Sequence, residues 1–247
     1  MILRRVSQDL RSQNWIGFGV DLAIVVLGIF LGLQASQWYE HRQEIGMERN
    51  ILERLGEDFE SIEAEAESAI RFHQEQIVAL EQMQNALRDG EIDPANEQFF
   101  LTGLSDAMGY DLGPGRSGTY VEVLSSGHFR LLRSQELRKA LTEYDDSVQK
   151  ADYLFSTFQQ GQRRHETVFN RHFGRGPTRS FAADAMPSGV MYMHGEVIEF
   201  NFESMKNDRE FERVIGRLLE YHINYQFWHA NIGRSANRVR DIIESTP

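Results

Sequence analysis

Residues 15–38 read WIGFGVDLAIVVLGIFLGLQASQW. From Trp15 to Leu33 the only ionisable side chain is Asp21. A helix of that length rises ~28 Å, close to the hydrocarbon thickness of a bilayer. Trp15 and Trp38 bracket the run, in the places where indole rings act as membrane-interface anchors. The stretch predicts a transmembrane helix over 15–38, preceded by a cytoplasmic segment, 1–14, and followed by an extramembrane domain, 39–247. A cleaved leader fits less well. Its twenty-odd residues before the apolar run would be long, and Leu33-Gln34-Ala35 places a bulky Leu where a small residue is wanted. No second apolar run of spanning length follows, so the reading is single-pass.

Arg4, Arg5 and Arg11 precede the span, whereas Arg42, Arg49 and Arg54 are spread thinly after it. That bias favours a cytoplasmic N-terminus and a periplasmic C-terminal domain, in a bacterial inner membrane. The chain carries a net charge of −11, and the residues beyond the span are more acidic still. Strong negative charge argues against nucleic acid as a partner. The absence of cysteine excludes disulfides, thiolate metal sites and cysteine nucleophiles.

Beyond the span the chain reads as long helices. Leu52, Leu55, Phe59, Ile62, Ala66, Ala69, Ile77, Leu80 and Leu87 alternate at three and four, a seam that predicts helix to about Arg88, stopped by Gly90 and Pro94. Glu57, Asp58, Glu60, Glu63, Glu65 and Glu67 read as its solvated face. A second seam runs from Ser134, an expected N-cap, to about Phe173, and a third from Asp208 to Ser245. Shorter helices are expected near 96–108 and 119–126. Gly127 falls where a helix end needs positive φ. Between the second and third long helices, Gly189–Met193 and Glu196–Phe202 flank His194-Gly195, which predicts a small β-hairpin. The fold class is therefore all-α: one N-terminal transmembrane helix continuing into an elongated antiparallel three- to four-helix bundle, with a small β-hairpin insert near 189–202.

If the second helix runs antiparallel to the first, its C-terminal end returns toward the membrane. That end and its insert carry Arg171, Arg175, Arg179, Met191 and Tyr192, a set suited to lipid headgroups or a membrane partner.

Asp21 is the sharpest residue, because an ionisable group inside a span is costly. Asp21, Gly28 and Ala35 share a heptad position, and Gly28 and Gly32 form a GxxxG pair. Together they predict a helix–helix interface, with self-association or other membrane-protein subunits as partners beside the bilayer. A proton-carrying, stator-like role for Asp21 is the alternative. His73, His165, His172, His222 and His229 fall on or near the seams. They are read as hydrogen-bonded core histidines, with zinc as the alternative. Neither Glu-x-x-His nor His-Glu-x-x-His occurs, and no metal or cofactor is expected. Gly113–Gly118 matches GxGxxG without a preceding strand and reads as a flexible connector. No nucleophile elbow or Walker loop is present, so catalytic residues are not expected.

Gln13-Asn14-Trp15, Asp21, Val25-Val26-Leu27-Gly28, Gly32-Leu33-Gln34 and Trp38-Tyr39-Glu40-His41-Arg42 together resemble the opening of a bacterial family of membrane proteins. Its members carry a domain of unknown function behind one N-terminal span. Thr119-Tyr120, Leu124-Ser125-Ser126-Gly127, Leu131-Leu132 and Glu136-Leu137 resemble that family's second block, while Tyr39 stands where Asn is expected. The resemblance implies single-pass topology and a helical extramembrane domain, and supplies no activity. The reading that follows is a non-enzymatic, membrane-anchored accessory or scaffold subunit. A ligand- or metal-sensing periplasmic bundle is the alternative.

Overall fold

A computed structural model describes residues 15–176 and 197–245, without the side chains of 15–18 and 21. The protein is mostly helical, with one small two-stranded antiparallel sheet and one long apolar helix near the N-terminus. It divides into two compact units, 1–51 and 52–247. Helix α1, Trp15–Asp89, supplies residues to both.

In the first unit, Val20, Leu22, Ile24, Val25, Val26, Leu27, Ile29, Phe30, Leu31 and Leu33 are each more than half exposed, from 52% at Val20 to 64% at Leu31. The arginine of Arg42 lies over the Trp38 ring at 5.5 Å. Residues 39–50 continue the helix with mostly exposed side chains.

In the second unit the expected helix ends are met by specific groups. Gly90, at φ 79°, closes α1 with its N–H on the Ala86 carbonyl at 2.9 Å. Helix α2 is Glu97–Asp106. Helix α3, Gly118–Ser125, is capped by the Ser117 hydroxyl and followed by Gly127 at φ 74°. Helix α4, Gln135–Phe169, begins where the Ser134 hydroxyl accepts from the Leu137 N–H at 3.1 Å. After α4 come strand β1, Phe173–Arg175, strand β2, Val197–Phe200, and helix α5, Phe202–Lys206. Helix α6, Arg209–Glu244, is capped by the Asp208 carboxylate on the N–H groups of Glu210 and Phe211.

The three long helices pack through their seams. Helix α6 opposes α1, since Ala66 lies against Gly233, Gln74 bonds Gln226 at 2.7 Å, and Gln84 lies against Gly216. It also opposes α4: Glu143 pairs with Arg238, Phe155 meets Tyr225, and Phe169 stacks on Phe211. Helices α1 and α4 therefore run in the same direction, with Phe59 on Tyr144 at one end and Leu80 and Met83 with Phe169 at the other. The sequence premise that helix two returns antiparallel to helix one is overturned. The C-terminal end of α4 sits by the Asp89 end of α1, across the second unit from Leu52. The reason lies in residues 90–134, which run back along α1 through α2, an irregular stretch and α3 before α4 starts. Arg54, near the start of the unit, accordingly pairs with Glu122.

The small antiparallel sheet is present, and it includes a strand the sequence reading did not name. Strand β2 pairs with β1, in the register Phe173↔Phe200, Gly174↔Glu199 and Arg175↔Val197, with an irregularity between Gly174 and Arg175. Helix α4 stops at Phe169, earlier than expected, and one 3₁₀ turn over Asn170–His172 frees 173–175 to extend. Phe173 and Phe200 then pack on the core cluster containing Phe100, Phe169 and Phe211. Residues 189–193, the expected partner strand, lie outside the described residues.

Two members of the acidic face are not solvated. Asp58 accepts from the Ser117 hydroxyl at 2.7 Å and the Thr119 N–H at 2.9 Å. Glu63, 9% exposed, pairs with Arg240 at 2.8 Å.

Candidate functional site

The expected association stripe lies on α1. Trp15 and Asp21 belong to the helix, and their side chains are outside the described set. Ala35 is exposed, and a Cβ placed on Gly28 or Gly32 would meet nothing within 4 Å. Trp38 is 63% exposed. Among the described residues, ten large apolar side chains on this helix are thus more than half exposed. Burying a set of that size is worth on the order of 15–30 kcal/mol.

The two described arginines of the basic set have partners within the second unit. Arg171 pairs with Asp208 at 2.8 Å and Glu210 at 3.1 Å. Arg175 donates to the carbonyls of Leu104 and Ser105, at 2.7 and 3.1 Å. Both hold the Asp89 end of the second unit together. Arg179, Met191 and Tyr192 lie outside the described residues.

That end also contains a chain of hydrogen bonds with no sequence motif to announce it. His172 contacts the Asp208 carboxylate through Nε2 at 2.8 Å, and its Nδ1 meets the Ser204 hydroxyl at 2.7 Å. The His172 contact, with the Glu210 and Phe211 N–H groups and Arg171, holds Asp208 well below the usual carboxylate range. The other Asp208 oxygen caps α6. This carboxylate fastens the corner between α4, α5 and α6, although the order of groups resembles a hydroxyl–imidazole–carboxylate relay.

The densest polar cluster is in the core. His73 of α1 and His222 and His229 of α6 are all fully buried. His73 Nδ1 lies 2.9 Å from His222 Nδ1. The Nε2 atoms of His73 and His229 both face the Asp111 carbonyl, at 3.2 and 3.0 Å, and His222 Nε2 faces the Ala107 carbonyl at 3.0 Å. His73 stacks between Tyr225 and His229, with ring centroids 4.8 and 5.4 Å away. Burial pushes His222 and His229 each down to about 4, and His73 well below the ordinary histidine range. His165 stays apart near Tyr221.

The segment 107–117 supplies the carbonyls and is fastened at several points. Asp111 accepts from the Gly113 N–H at 2.8 Å. Gly113 has φ 62°, and a Cβ there would lie 2.5 Å from the His229 ring. Arg116 pairs with Asp145, and the Tyr144 hydroxyl donates to the Gly115 carbonyl at 2.6 Å. What the sequence presents as a flexible connector is a docked strap. Its glycine at 113 is required by backbone sign and by close approach, not by a phosphate.

The seam pattern brought three histidines to one level. It carried no signal for their carbonyl partners, which come from an irregular segment far away in sequence. Among the described residues, no group of three or more His, Cys, Asp or Glu is arranged to hold a metal ion. Compared with protein-family models, curated proteins and solved structures, the chain matches none.

Proposed function

We propose that this chain is a single-pass accessory or scaffold subunit of a membrane-protein complex, without catalytic activity of its own. Its transmembrane helix associates with other spans through Asp21, Gly28, Gly32 and Ala35, and its helical bundle projects from the bilayer. The orientation proposed is N-terminus in the cytoplasm and bundle in the periplasm of a bacterial inner membrane. The resemblance of its opening to a single-span family agrees with this topology.

The observation that carries the reading is the run from Val20 to Leu33, whose large apolar side chains are all more than half exposed. Among the described residues, one helix is long and apolar enough to cross a membrane. The open sides of Gly28 and Gly32 support close helix approach. The test is native electrophoresis of the full-length protein from mild detergent, beside an Asp21→Leu, Gly28→Ile double variant. The expected result is a defined complex that the double variant loses while its helical content stays the same. A wild-type chain that migrates alone overturns the proposal.

The buried imidazole cluster bears on one second reading, a ligand- or metal-sensing domain, although as placed its rings are not arranged to hold a metal ion. Stoichiometric zinc in the purified chain, lost on His222→Ala, would support it over the scaffold.

A further inference from the structure

The contacts of His73 and His222 bear on how many protons the two rings carry. A backbone carbonyl only accepts, so a ring nitrogen that hydrogen-bonds to one bears a hydrogen. His73 Nε2 faces the Asp111 carbonyl and His222 Nε2 the Ala107 carbonyl. Two neutral imidazoles then have their single hydrogens placed, and both Nδ1 atoms are bare lone pairs. Those two atoms are 2.9 Å apart, a hydrogen-bond distance. Two lone pairs facing at that separation repel, and one hydrogen between them turns the contact into a charge-assisted bond. The separation is also shorter than two nitrogens on one zinc ion allow, since Zn–N bonds of ~2.0–2.1 Å at a tetrahedral angle hold them ~3.3 Å apart.

We propose that His73 and His222 share a third proton across their Nδ1 atoms, forming a buried imidazole–imidazolium couple that latches the 107–113 strap onto α1 and α6. This holds whether or not the chain is a scaffold subunit. Each ring ties one helix to one strap carbonyl, and the shared proton ties the helices to each other. Removing it leaves three contacts for two hydrogens, so one must break.

The surroundings set the direction of the response. From α6 come His229, whose Nε2 already faces the Asp111 carbonyl, and Tyr225, which stacks on His73 and offers its ring face to the charge. The strap brings Asp111, whose carboxylate is turned to its own Gly113 N–H, and Tyr110, stacked on Tyr225. Helix α1 brings Phe72 beside both rings, and Glu65, which adds to burial in raising the Asp111 carboxyl. Helix α4 brings uncharged Phe155 against Tyr225 and His229. None of these contacts gives the pair a carboxylate counter-ion, so burial works against the charge and the couple belongs to the acid side of its transition. The latch closes on proton uptake and opens as pH rises.

The test is ¹⁵N-imidazole NMR of the histidine-labelled, full-length protein in detergent micelles across a pH series, with metal content measured on the same sample. The expected acid-side spectrum has both Nε2 atoms protonated and one hydrogen correlated to both Nδ1 atoms. As pH rises, that correlation disappears with loss of one proton per chain, and amide signals of 107–113 move in the same step. In His222→Gln the step is absent, and His73→Gln serves if the first variant does not fold. Two neutral rings with no shared hydrogen at every pH where the chain is folded would overturn the proposal. So would stoichiometric zinc whose removal by chelator shifts both Nδ1 signals.

Discussion

Two parts of helix α1 make the most instructive pair in this molecule. Residues 20–33 and residues 55–87 belong to the same continuous helix. In the first, large apolar side chains surround the axis and all remain exposed. In the second, Leu55, Phe59, Leu80 and Met83 are fully buried along one stripe, with most charged residues elsewhere. An all-round apolar helix calls for an apolar solvent, whereas a striped helix calls for neighbours with matching stripes. The same backbone is thus written for two environments, and only the stripe carries information about a specific tertiary partner.

The contrast can be broken most directly at Phe59. This ring is fully buried with its centroid 4.8 Å from that of Tyr144, so Phe59→Ala is expected to lower unfolding stability by about 3–5 kcal/mol. Urea denaturation of the full chain in detergent, followed by circular dichroism, measures it. A loss below about 1 kcal/mol would mean that the stripe does not hold the second unit together.

A pH series sharpens the account of the core next. Burial pushes His229 down to about 4 in the folded chain, while the unfolded value is ~6.5. The stability associated with its neutral form is fully present above ~6.5. It falls away as the pH drops toward about 4, because the unfolded chain takes a proton at His229 that the buried ring refuses. The expected loss from this group is ~3 kcal/mol. Replacing His229 by Gln, which keeps a donor for the Asp111 carbonyl, is expected to flatten that part of the urea-midpoint profile. An unchanged profile would assign the acid sensitivity to other groups.

Smaller effects belong to helix ends. The Ser134 hydroxyl caps α4, and Ser134→Ala is expected to cost about 1 kcal/mol in the same assay. At the bottom of the scale stands the exposed part of α1. Leu27 is 57% exposed, and Leu27→Ala should move the urea midpoint by no more than about 0.5 kcal/mol in stability. A loss comparable with that of Phe59→Ala would show that residues 20–33 have a packing partner on their own chain.

What the sequence could convey follows the range of the signal. Ser134, Asp208, Gly90 and Gly127 act within four residues of themselves, so the helix ends they set were legible. The seams were legible because one period repeats over thirty residues. They placed His73, His222 and His229 in the core. Helix direction was not legible, since a seam reads the same both ways along its axis. Only the return path of 90–134, pinned by Asp58 on Ser117 and by Arg54 on Glu122, makes α4 run with α1. The pairing of β2 with β1 was not legible for a related reason: the alternation in 197–200 asks for a partner without naming one, and β1 was offered by the early end of α4.

The sequence by itself determined a mostly helical chain, a helix apolar enough for a bilayer, and three seams with their caps, because these depend on composition, period and neighbours along the chain. The tertiary structure alone decided the direction of α4, the docking of the 107–117 strap and the contact between His73 and His222. Those depend on which distant segments meet, and close packing of the long helices settles that only when the whole second unit assembles.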